Sequence, residues 1–136
     1  AMLIVSGPDG YVSPDWYGSP DQVPPWNYVA VHLRGTLRAL PSEALRDVLD
    51  RLSDEMEARL PKPPWTTSKM TPAVLDRMMR SLVACRMDLG EVEGTWKLSQ
   101  NKPDPARRGA ADGVASGQAP GQETAALAAL MRRALS

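Results

Sequence analysis

The sequence holds a single cysteine, Cys85, and a single histidine, His32. One thiol cannot close a disulfide within the chain, which fits a reducing compartment such as the cytosol. Cys85 itself is expected to be a small buried hydrophobe. One histidine without a cysteine pair leaves a transition-metal site short of ligands. His32 could drive nucleophilic catalysis only beside a nucleophile, and no nucleophile-elbow pattern is present. No P-loop and no G-x-G-x-x-G pattern occurs either. Charge of one sign is also lacking, since 16 basic side chains face 16 acidic ones. That balance denies the chain a strong sequence-independent hold on DNA, which needs excess cations to displace counterions from phosphate. No apolar run approaches the roughly 18 residues that a membrane span requires. The first residues lack a basic stretch followed by an apolar one, so no signal peptide is expected.

What is present fits a soluble globular protein. Hydrophobic residues make up 43% and charged residues 24% of 136 positions, a length that suits one domain over residues 1–136. A chain of this size can bury about two thirds of its unfolded surface. Met2–Val5 is a short apolar run, and Gly7-Pro8-Asp9-Gly10 carries turn chemistry, so Tyr11–Ser13 is expected to return as the second arm of a hairpin. Pro14, Pro20, Pro24 and Pro25 mark a loop that also carries Trp16 and Tyr17. These aromatics could line a ligand or plug the end of a barrel.

Trp26–Leu40 is predicted to be one long strand. Val29, Val31, Leu33, Leu37 and Ala39 alternate with Tyr28, His32, Arg34, Thr36 and Arg38, the pattern of an antiparallel sheet with one wet face. Ser42–Leu60 is predicted to be an amphipathic helix capped by Ser42, with Leu45, Val48, Leu49, Leu52, Met56 and Leu60 as its stripe. A second helix starts at Thr71-Pro72. From Val83 the period returns to two, and it slips by one residue at Gly90, as at a bulge or barrel corner. Residues 103–122 are rich in Ala, Gly and Pro and read as a loop or weak helix. A last helix over Glu123–Leu135 packs through Leu127, Leu130 and Met131.

Two clusters carry the polar chemistry. Lys97-Leu98-Ser99-Gln100-Asn101-Lys102 ends the last strand with two cations, a hydroxyl and two amides. Such groups can donate to phosphate oxygens or to the polar edge of a flat ring; they can equally form a polar turn. Trp26-Asn27-Tyr28 offers flat faces for stacking, or barrel core. Together the clusters suit a flat, anionic heteroaromatic ligand such as flavin mononucleotide. The carboxylates of the first helix are interleaved with Arg46, Arg51 and Arg59 as on a solvated face, and no acid–base pair stands out. Arg107-Arg108 and Arg132-Arg133 give the C-terminal part a modest positive excess, read as a solubility feature because no helix-turn-helix accompanies them.

Three segments in order resemble the PaiB-type FMN-binding negative transcriptional regulators. They are Tyr11–Tyr17, then Val23-Pro24-Pro25-Trp26-Asn27-Tyr28 with His32 and Gly35, then Glu93–Lys102. The resemblance implies an α+β fold with an antiparallel split β-barrel and three or four helices, incomplete at the N-terminus because the family's first half is expected to be missing. It implies FMN held at a homodimer interface in a cytoplasmic regulator, with Ser13, Trp26, Asn27, Tyr28, Lys97, Ser99, Gln100, Asn101 and Lys102 as its binding residues. Thr95 stands where many relatives carry a lysine. DNA is left open as a partner, since no DNA-reading element is recognisable. A regulator is favoured over an enzyme. The rivals are a flavin-dependent oxidoreductase on the same barrel and a truncated relative that serves as an interaction module without FMN.

Overall fold

A computed structural model describes residues 1–134 as an α+β chain built on a four-stranded antiparallel sheet with four α-helices. The strands are β1 (Met2–Tyr11), β2 (Trp26–Ala39), β3 (Cys85–Lys97) and the two-residue β4 (Gly121–Gln122), in the spatial order β3-β2-β1-β4. The helices are α1 (Ala44–Glu57), α2 (Pro72–Met79), α3 (Asp104–Ala115) and α4 (Thr124–Arg133). The chain divides into two compact units. One holds Ala1 and Gly35–Leu89; the other holds Met2–Arg34 and the residues from Gly90 onward.

The expected hairpin at Gly7–Gly10 does not form. β1 runs straight through these residues and pairs antiparallel with β2 from Met2↔Arg34 to Tyr11↔Trp26, with a bulge between Ser6 and Asp9. A tight hairpin needs positive φ, and neither Gly7 nor Gly10 has it. The glycines instead allow close approach. A Cβ on Gly10 would stand 3.1 Å from Leu127 of α4, and one on Gly7 would stand 3.1 Å from Cβ of Val29. Pro8, which has no N–H to donate, sits within the bulge, where the ladder does not require one.

In the second unit the core is Val12, Tyr17, Leu98, Ala106, Ala110, Ala111, Val114, Leu127, Ala128 and Met131. The Ala/Gly-rich stretch read as a loop or weak helix is therefore a packed helix, α3, and its small residues are why it packs. Trp16, in the 3-10 turn Pro14–Tyr17, lies against it: a Cβ on Gly109 would meet the Trp16 carbonyl at 2.4 Å, and one on Gly113 would meet the indole at 2.2 Å. Small side chains let backbone and ring approach closely enough to exclude solvent. α4 presents Leu127 and Met131 to the core with Leu130 at its margin, as its periodicity predicts.

In the first unit, α1 is shorter than predicted and begins one residue beyond Glu43, with no side-chain cap from Ser42. Leu45 and Leu75 are buried, but Leu52, Met56 and Leu60 of the predicted stripe are about half exposed. Polar bonds tie the segment after α1 back onto it. Arg46 donates to Asp50 (2.8 Å) and to the Thr67 hydroxyl (2.6 Å), and that hydroxyl donates to Asp50 (2.8 Å). Glu57 accepts from Lys62 and from the Trp65 backbone N–H. Cys85, expected to be buried, is exposed; Ala84 takes the inward place, and its carbonyl accepts from Leu40 N at 2.8 Å. Gly35 is required by crowding, since its Cβ would lie 2.2 Å from the Asp88 carbonyl oxygen.

Candidate functional site

β2 enters the second unit with Asn27 on the same side as Val29 and Val31, because side chains alternate along a strand. Asn27 is 0% exposed. β3 leaves the same unit through Leu98 and Ser99. Ser99 has φ +60°, a left-handed conformation that is unusual for a residue with a Cβ. Its hydroxyl is held from two directions, by the Asn27 amide at 2.9 Å and by the Tyr17 hydroxyl at 2.8 Å. Its carbonyl accepts from Lys102 N at 3.0 Å, which closes the turn Ser99–Lys102. Two buried hydrogen bonds therefore hold a strained turn on the floor formed by Tyr17 and Asn27.

Above that floor is a cleft of about 180 Å³ lined by Tyr17, Val23, Pro25, Asn27, Lys97, Ser99, Gln100, Asn101 and Lys102. Six of the nine residues expected to bind the cofactor line it: Asn27, Lys97, Ser99, Gln100, Asn101 and Lys102. The structure does not bring the other three there. Trp26 and Tyr28 fall on the opposite face of β2; Trp26 is 45% exposed and donates its indole N–H to Asp9 at 3.1 Å. Ser13 precedes the 3-10 turn, and its carbonyl accepts from Trp16 N at 3.1 Å.

The lining residues are not equivalent. The Gln100 side chain folds back on its own strand, accepting from Leu98 N at 2.8 Å and donating to the Trp96 carbonyl. Lys102 donates to Gln22 at 2.6 Å, with its ammonium 5.2 Å from the centre of the Tyr17 ring, within cation–π range. The Lys97 ammonium and the Asn101 amide have no hydrogen-bond partner among the described residues. Behind the turn lies Arg107, read from the sequence as a solubility feature but 5% exposed. It donates to the Gln100 carbonyl (3.3 Å) and to Asp104 (2.8 Å). Its place follows from α3 starting at Asp104, which sets Asp104 and Arg107 one turn apart. With residues 103–122 read as a loop or weak helix, no periodicity signals this cation.

The donor set has a definite chemical preference. Two ammonium groups and an amide favour a dianion over a neutral ligand. The floor carries a buried acceptor without a partner, Asn27 Oδ1, so a ligand with a proton to donate is also favoured there. No group of three or more metal-binding side chains occurs among the described residues. No helix among them is long and apolar enough to cross a membrane.

An FMN-binding protein would carry such a site, and the comparisons place the chain in that class. A family model described as "Putative FMN-binding domain" matches residues 1–91. The chain belongs to this family in its PaiB-type form, and FMN is the cofactor that membership carries. Among curated proteins it is similar to "Protease synthase and sporulation protein PAI 2" of Bacillus subtilis (strain 168), at 30% identity over 102 residues. That alignment covers 74% of this chain and 48% of the relative, so the chain spans about half of the relative's length. The residues present fit part of FMN. A cleft of about 180 Å³ is smaller than the roughly 300–1,000 Å³ of pockets that enclose a whole drug-sized ligand. Its two lysines and the Asn101 amide are chemically suited to an anionic, hydroxyl-bearing end such as a sugar-alcohol phosphate.

Proposed function

We propose that this chain is an FMN-binding regulatory protein of the PaiB type, in which the cleft on the Ser99–Lys102 turn receives the phosphate end of the flavin. The observation that carries the reading is the doubly held Ser99 hydroxyl. It fixes a turn that presents Lys97, Asn101 and Lys102 around one cleft. The flavin's role there is that of a bound redox-active ring; this chain's residues bind and orient its phosphate end. Thermal unfolding tests the reading, because a ligand that binds only the native state must raise the midpoint. FMN at a hundredfold excess over its Kd should stabilise by about 2.7 kcal/mol. Riboflavin, which lacks the phosphate, should give little. Equal shifts from both would remove the phosphate assignment.

The working form is proposed to be a homodimer in the cytoplasm that acts as a negative regulator of transcription. Support for a covering partner comes from the second unit's strands, where Met2, Leu3, Ile4, Val5, Val92 and Trp96 all stand about half exposed or more; apolar patches of this kind mark interaction surfaces. Light scattering of the purified chain tests the dimer. Regulation needs a DNA complex that persists at physiological salt, since retention lost with salt would reflect bulk electrostatics alone.

A further inference from the structure

Among the polar groups on the cleft floor, one side-chain atom lacks a hydrogen-bond partner. The Tyr17 and Ser99 hydroxyls bond to each other, and Ser99 also takes the Asn27 amide. The second interaction of that amide is with Met131 Sδ at 3.7 Å. Asn27 Oδ1 is left fully buried without a partner. A buried acceptor without a donor is unfavourable, because it has given up water and gained nothing. It also repels phosphate oxygens, which carry no proton at the contact. A ligand O–H or N–H entering the cleft that Asn27 lines would satisfy it.

Resting on the flavin reading above, we propose that Asn27 selects the ligand. Its Oδ1 accepts a hydroxyl of the sugar-alcohol chain next to the phosphate, so the cleft takes a polyol phosphate in preference to phosphate alone. Lys97, Asn101 and Lys102 hold the anionic end, and Asn27 reads the hydroxylated end. The cleft thus has a cationic rim and an acceptor floor, and a ligand has to match both.

Calorimetric titration of the full chain with ribitol 5-phosphate, inorganic phosphate and FMN tests this. Ribitol 5-phosphate should bind wild type at least about tenfold tighter than inorganic phosphate, the scale of a well-made hydrogen bond in a dry site. Asn27→Leu also removes the bond to Ser99 and so loosens the turn for every ligand, but it should weaken ribitol 5-phosphate and FMN by about tenfold more than it weakens inorganic phosphate. The wild-type preference is measured without any variant, so it stands even if Asn27→Leu unfolds. Equal wild-type affinity for the two phosphates would overturn the proposal. So would an Asn27→Leu loss of equal size for all three ligands, which would leave Asn27 only its support of the turn through Ser99. If ribitol 5-phosphate binds as expected but FMN does not, the flavin reading falls and the polyol-phosphate site stands. If FMN binds and Asn27→Leu leaves it unchanged, the flavin reading stands and this proposal falls. Binding of none of the three removes both.

Discussion

The helices of the two units differ in how completely their apolar residues are covered. In the unit of Met2–Arg34 with the residues from Gly90 onward, the deepest burial falls on small or medium side chains. Val12, Ala110, Ala111, Val114, Leu127, Ala128 and Met131 are all 0% exposed. In the unit of Gly35–Leu89, by contrast, the leucines and methionines Leu52, Met56, Leu60, Met78 and Leu82 are each about half exposed. A helical apolar stripe is thus necessary for burial and does not guarantee it. α3 packs because alanines and glycines admit the Trp16 ring, whereas α1 has a fuller stripe and is tied down by Arg46, Asp50, Thr67 and Glu57. The cleft belongs entirely to the well-packed unit, where a strained Ser99 can be held in place.

Truncating one leucine in each unit tests this contrast most severely. Leu127→Ala empties a fully buried position and should cost about 2–5 kcal/mol. Leu52→Ala starts from a side chain 55% exposed and should cost less than about 1 kcal/mol, since little area returns to water. Urea unfolding of both variants decides it. Equal losses would mean that Leu52 is covered in solution and that the contrast is false.

A smaller effect sharpens the account of α3. Gly113→Ala places a Cβ 2.2 Å from the Trp16 indole, and overpacking of that kind costs about 1–3 kcal/mol. Gly90→Ala, whose Cβ would have the Arg34 carbonyl as its nearest neighbour at 3.9 Å, should do far less by steric means. A shift in tryptophan emission in the first variant and not in the second would identify the displaced ring. Emission unchanged in both would detach α3 from Trp16.

Much of the fold is legible in the sequence, and the reasons are local. Period-two alternation along β2 and the 3.6-residue stripe of α4 are set by residues that face one environment along the whole element. The same alternation already puts Asn27 with Val29 and Val31, and Trp26 and Tyr28 on the reverse side, so grouping all three around one ligand runs against the strand's own geometry. The turn signal at Gly7–Gly10 misleads because glycine serves two purposes, positive φ and close approach, and β1 uses the second. α3 is hidden because alanine and glycine lower apparent hydrophobicity while improving the fit to Trp16. With residues 103–122 read as a loop or weak helix, Arg107 and its bond to the Gln100 carbonyl stay out of sight.

The strain at Ser99 separates backbone from side chain. Ser99→Ala keeps φ at +60° while deleting the bonds to Tyr17 and Asn27, and should cost about 1–2 kcal/mol. Ser99→Gly deletes the same bonds but removes the left-handed penalty of roughly 1 kcal/mol, so it should be the more stable of the two. Chemical denaturation ranks them; alanine above glycine would show that the turn carries no backbone strain.

The smallest expected effect lies in the first unit and depends on pH. The Asp50 carboxyl is held below its ordinary value near 3.8, chiefly by the Thr67 hydroxyl and then by Arg46. Glu57 is held below its ordinary value near 4.5, chiefly by Lys62 and then by the Trp65 N–H. A carboxyl whose pKa is lower folded than unfolded binds its proton more tightly in the unfolded chain. Its stabilising contribution is therefore complete above the ordinary value and is lost as pH falls through the lowered one. Both carboxylates are only partly covered, so water and salt screen the gain and keep it small. Amide exchange followed from pH 6 down to pH 3, corrected for intrinsic rates, should show protection around Trp65–Met70 declining first. Protection around Val12, Ser99 and Leu127 should outlast it, because the bonds made by Asp50 and Glu57 lie in the other unit. Asp50→Asn should flatten the acid-dependent decline at Thr67 while leaving the cleft's exchange as it was; a decline of equal size in both units would show that they do not respond separately to acid.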